Sequence, residues 1–129
     1  MNSITCKTFT AQVTLGLFKG YSNEIIPLAK VKKELVKAQT KIKEDFNIVL
    51  SAKLRHCEII CLGQDEPSIE LEFIQYPKFQ TEVESLKKAI LALTKILLVQ
   101  LEQNRIVIVF SDETVMLEQS DAIDPKIEI

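Results

Sequence analysis

Residues 67–112 read PSIELEFIQYPKFQTEVESLKKAILALTKILLVQLEQNRIVIVFSD. From Ser68 to Gln75 polarity alternates, with Ile69, Leu71 and Phe73 on one side and Glu70 and Glu72 on the other. That period of two predicts a strand with one buried face. Thr81 and Glu84 have capping-box spacing and predict a helix start. Leu86, Ile90, Leu93, Leu97 and Leu101 then form a helical stripe, widened by Leu91, Leu98 and Val99. A helix this apolar is covered on more than one side. Asn104 is placed to end it, and Arg105–Phe110 reads as a buried strand.

Working outward, residues 8–52 repeat this order of polarity 58 positions earlier. Ala11, Val13 and Leu15 align with Ile69, Leu71 and Phe73. Leu28, Val31, Leu35 and Ala38 align with Leu86, Ala89, Leu93 and Ile96. Ile48 and Leu50 align with Ile106 and Ile108. The match is in polarity rather than identity, so it speaks to architecture and not to chemistry. Phe9–Leu17 alternates as a first strand. A helix is expected over about 24–46, capped by Ser22 or Asn23 with Pro27 in its first turn, where a missing N–H costs nothing. Lys30, Lys33, Lys37 and Lys41 lie opposite its apolar stripe. Ile48–Leu62 reads as extended chain, Gly63–Pro67 as a turn, and Val115–Leu117 as a short extra strand.

These elements predict an α+β two-layer sandwich of tandem β-α-β units, in the order β-α-β-β-α-β. The expected sheet is four-stranded and mixed, with two helices on one face, plus the short C-terminal strand. One domain is expected over 1–129, with its core over about 8–117 and an acidic tail over 118–129. The other sheet face would carry Thr10, Gln12, Thr14, Glu70, Glu72, Ile74, Val107 and Val109. A lone domain would leave that face partly bare, so a second copy is expected to cover it.

Composition sets further bounds. The chain has 129 residues, 47% hydrophobic and 26% charged, which is an ordinary globular balance. No apolar run approaches the roughly 18 residues of a membrane span. Residues 1–7 lack the apolar stretch of a secretory signal, and a cytoplasmic address is expected. Net charge is −2 but uneven: residues 24–55 hold eight Lys/Arg against four Asp/Glu, and residues 56–129 hold six against fourteen. The lysines of the first helix carry no interleaved aromatics, and the pI is near 5.5, so a solvated face is expected rather than a nucleic-acid interface. Cys6, Cys57 and Cys61 read as reduced thiols. No cofactor fingerprint and no metal-ligand set is present.

The Pro67–Asp112 stretch resembles the second half of the tautomerase superfamily, which includes macrophage migration inhibitory factor. That resemblance implies tandem strand–helix–strand repeats assembled in rings of three. It also implies a catalytic N-terminal proline, and here the second residue is Asn2. The ferredoxin-like layout has the same element order and is the alternative.

Four side chains are candidates for chemistry. His56 is the only residue that titrates near neutrality unaided, and Arg55 precedes it. His56 and Cys57 are adjacent, so on a strand they point to opposite faces and do not meet unless a bulge intervenes. Glu70 and Glu72 share a strand face about 7 Å apart, a spacing open to acid–base chemistry and equally to cross-strand pairing with cations. The sequence therefore predicts a small self-associating protein, a trimer by the resemblance, with a non-catalytic binding or structural role. The alternative is an enzyme of unknown substrate whose pocket at a subunit boundary draws on Arg55, His56, Glu70 and Glu72. A small-molecule ligand is open on either reading.

Overall fold

A computed structural model describes residues 1–125. The elements run β1 (Thr10–Gly16), α1 (Leu28–Phe46), β2 (Lys53–Cys61), β3 (Gln64–Ile74), a single 3-10 turn (Pro77–Phe79), α2 (Val83–Gln100), β4 (Arg105–Phe110) and β5 (Thr114–Glu118).

The five strands form one sheet in the order β2-β3-β1-β4-β5, and every neighbouring pair is antiparallel. This corrects the expected mixed four-stranded sheet. The reason is interleaving. β1 and β2 of the first unit run the same way but are not neighbours, because β3 lies between them. β4 stands in the same relation to β3, with β1 between. The two strand–helix–strand units are thus dovetailed, which is the split arrangement of the ferredoxin-like alternative. β5 adds a fifth strand where a short extra one was expected.

One parity of the sheet is buried. Ala11, Val13, Leu15, Ile69, Leu71, Phe73, Ile106, Ile108 and Phe110 are all but inaccessible to solvent. Val31, Leu35, Ala38 and Ile42 of α1 and Leu86, Ala89, Ile90, Leu93 and Leu97 of α2 close the same core. Truncating one of these leucines to alanine is expected to cost about 2–5 kcal/mol, the lost transfer energy plus a cavity.

Both helices start differently from expectation. Pro27 is the residue flanking α1, with no side-chain cap, while Ser22 turns back to the Lys19 carbonyl. The Thr81–Glu84 capping box does not form. Glu82 precedes α2 without a side-chain cap, and the Thr81 amide donates to Gln75 Oε1 at 2.9 Å. Asn47 closes α1 in the left-handed region at φ 55°, a conformation asparagine tolerates.

The second half of the repeat is displaced in α1's unit. By the 58-residue offset, β4 should have its counterpart at 47–52, yet β2 begins at Lys53. Residues 47–52 form an irregular connection instead, tethered by Gln39 Nε2 donating to the Leu50 carbonyl at 2.8 Å. The predicted Gly63–Pro67 turn is shorter than expected, because β3 already begins at Gln64. Residues 62 and 63 alone turn the chain, both with positive φ.

No helix among the described residues is long and apolar enough to cross a membrane. Part of the expected acidic tail, residues 126–129, lies outside the described residues.

Candidate functional site

The open face of the sheet carries a row of carboxylates along β3. Register places Glu72 opposite Lys53 and Gln12, and Glu70 opposite Arg55 and Thr14. Arg55 Nη2 donates to Glu70 Oε1 and, at 2.9 Å, to Glu72 Oε2. Lys53 Nζ lies 3.7 Å from Glu72 Oε1. One guanidinium thus bridges two carboxylates that alternate along a strand, and the pairing fixes both rotamers.

A third carboxylate joins them. Gly16 occupies the open-face position opposite Ser68, and the Glu66 carboxyl lies over it, in space a β-carbon would fill. The row is therefore Glu66, Ser68, Glu70, Glu72. Glu66 was missed in the sequence because Pro67 was read as part of a turn. The signal was present as an unbroken alternation through residues 66–72.

The charges around this row set the chemistry available. The Glu70 hydrogen bond, and after it the Glu70 charge, raises the Arg55 pKa, so the guanidinium stays cationic. Burial pushes the Cys57 thiol up, the Glu70 charge adds to this, and Arg55 opposes it. Cys57 is therefore a thiol at neutral pH and no nucleophile. The face can hold a cation against its carboxylates. It can also hold an anion if Arg55 exchanges one of its two partners.

The structure brings Arg55, Glu70 and Glu72 together and leaves His56 apart. His56 is exposed, in register with Ile69, on the opposite parity of β2 from Arg55. None of the four candidates lines the cavity at the end of β3. Cys6, Cys57 and Cys61 are free thiols, and among the described residues no group of three or more His, Cys, Asp or Glu is placed to hold a metal.

The cavity at the end of β3 measures about 550 Å³ and is walled by the 47–51 connection, Phe73, Ile74, Tyr76, Phe79 and Leu86. Ile74 is on the open face, two residues along β3 from Glu72.

The fold is that of two solved phage SAM lyases. One, in complex with S-methyl-5'-thioadenosine, superposes with a TM-score of 0.68 at 16% identity, over 95% of this chain and 98% of that one. The other, an apo phage SAM lyase, gives 0.62 at 16% identity, over 89% and 91%. No protein-family model matches the sequence, and no curated protein matches it. These likenesses correct the tautomerase resemblance, which rested on element order and polarity. Element order is shared by both layouts, and the interleaved antiparallel sheet separates them.

Proposed function

We propose that this chain is an enzyme that degrades S-adenosylmethionine (SAM), with methylthioadenosine as one product. The supporting observation is the fold likeness, which runs almost end to end over lyases of that substrate. The same likeness overturns the expected non-catalytic binding or structural role. The alternative expectation, an enzyme with its site at a boundary between copies, takes its place.

The open face suits this substrate. SAM carries a sulfonium and an ammonium, both cationic, and one carboxylate. Glu66, Glu70 and Glu72 offer negative charge to the cations, and Arg55 offers a fork to the carboxylate. The sulfonium leaves as a neutral thioether when the substrate's own carboxylate oxygen bonds to the γ-carbon and the bond from that carbon to sulfur breaks, so the four-carbon fragment closes as a lactone. No proton is needed at that leaving group, so His56 has no required part. What the site must supply is charge placement and shelter from water.

A single chain leaves that face in solvent. Ile74, Val109 and Met116 are each about half exposed around the carboxylate row, and Val107 sits among them. A second copy laid over this face would cover them and enclose the row. The reading takes the chain as one domain acting in the cytoplasm.

The test is incubation of the purified chain with SAM, followed by mass spectrometry. The proposal expects methylthioadenosine to accumulate and Arg55→Ala to suppress it. Intact SAM after prolonged incubation at high enzyme concentration would overturn it.

A further inference from the structure

We propose that the cavity at the end of β3 seats the nucleoside of the substrate, with Tyr76 and Phe79 holding its flat base. This rests on the SAM reading above and assigns that site its second half.

Four observations converge. The cavity, at about 550 Å³, falls in the range that suits a ligand of nucleoside size. Every residue lining it is uncharged, so the preferred guest is neutral and largely apolar, as a thionucleoside is. Tyr76 and Phe79 stand 58% and 67% exposed, with ring centroids 6.0 Å apart and planes tilted by 33°. Two aromatic rings left this bare, beside a cavity, form a platform on which a base can stack. Finally, Ile74 of the cavity wall lies about 7 Å along the strand from Glu72. The cavity wall takes Phe73 and Leu86 from the helix side of the sheet and Ile74 from the open face, so it lies at the end of the strand that carries the carboxylate row.

The origin of the cavity is local. Where the repeat calls for a strand at 47–52, the chain instead crosses as an irregular connection, and Gln39 holds it in place through the Leu50 carbonyl. On the far wall the Gln75 side chain bonds the Thr81 carbonyl and amide at 2.7 and 2.9 Å, which fixes the 3-10 turn that presents Phe79. Both walls are thus held by side-chain hydrogen bonds, and Asn47 and Ser51 add polar groups to the lining.

Tyr76 is itself the reporter. The chain has two tyrosines and no tryptophan, so Tyr21→Phe leaves Tyr76 as the sole tyrosine. Methylthioadenosine titrated into that variant is expected to quench its emission saturably. Phe79→Ala should weaken the binding about tenfold, the loss of one stacking ring. Phe79 is too exposed for its loss to unfold the chain. Ser51→Phe, which fills the cavity without adding a second emitter, should abolish the quench. If the unaltered chain converts SAM while both variants bind methylthioadenosine as it does, the cavity proposal is overturned and the SAM reading survives. If the quench and its loss are seen but SAM is left intact, the cavity proposal stands and the SAM reading falls. Absence of both the quench and the turnover overturns the two together.

Discussion

Gly16 and Glu66 occupy one volume by agreement: the glycine lacks the β-carbon that would sit 2.9 Å from Glu66 Cδ, and the carboxyl fills that gap over β1. The backbone at Gly16 is ordinary strand, so only the contact forbids a side chain. Glu66 can move at its flexible end. Gly16→Ala should therefore fold, with a stability change of about 1 kcal/mol or less. It should swing the Glu66 carboxylate off the row and lower SAM turnover. Thermal melts and methylthioadenosine formation measured on one preparation check both halves.

Arg55 holds two carboxylates that would otherwise face each other unscreened. Arg55→Lys keeps the charge and one donor nitrogen for Glu70 and Glu72, as Nη2 serves both, but loses the planar fork proposed to hold the SAM carboxylate. It should retain the fold, bind SAM more weakly and raise KM more than it lowers kcat. Steady-state kinetics on Arg55→Lys and Arg55→Ala, with the alanine variant the more damaged, make the comparison.

Lys87 is buried on α2, and its Nζ reaches Asp112 Oδ2 at 2.8 Å and Glu113 Oε1 at 3.3 Å. The same ammonium lies 5.4 Å from the Phe110 ring centre and 5.9 Å from that of Phe9. The Asp112 hydrogen bond raises its pKa above the ordinary 10.5, against the opposing effect of burial. A folded-state pKa above the unfolded one means stability that is fully present below pH 10.5 and lost as pH rises through the folded value. Melting temperature should thus fall more steeply above that pH in the native chain than in Lys87→Met.

How much of this was legible in the sequence depends on what each residue's neighbours encode. The alternation of Ile69, Leu71 and Phe73 with Glu70 and Glu72 placed the last two on the open face, because a strand's parity is local. Glu66 escaped because a proline at 67 looked like the end of the strand. In the structure β3 continues back past Pro67 to Gln64, with Glu66 on the open-face parity. Strand order was not legible: a duplicated polarity pattern describes each unit but says nothing of how the two dovetail. Ile48 and Leu50 carried the strand pattern of Ile106 and Ile108, yet they wall a cavity. Apolar residues satisfy a cavity wall and a strand interior equally well. The separation of His56 from Arg55 was foreseeable from adjacency alone.

Val107 and Val109 lie on the open face among polar neighbours, and the proposed assembly buries them. Val107→Glu should leave the single chain folded, since the side chain is 37% exposed there, and lower the melting temperature only by the stability the assembly adds. It should also reduce the mass seen by light scattering to that of one 14.7 kDa chain. An unaltered chain that scatters as a monomer at micromolar concentration would remove the enclosed site from the account.

The central claim is that this chain cleaves SAM without adding water. Its most direct test is SAM turnover in ¹⁸O-water, with both products read by mass spectrometry. The account predicts methylthioadenosine and a four-carbon amino-acid fragment whose γ-carbon bears no solvent oxygen. Unconsumed SAM, or a γ-hydroxyl carrying ¹⁸O, would contradict it.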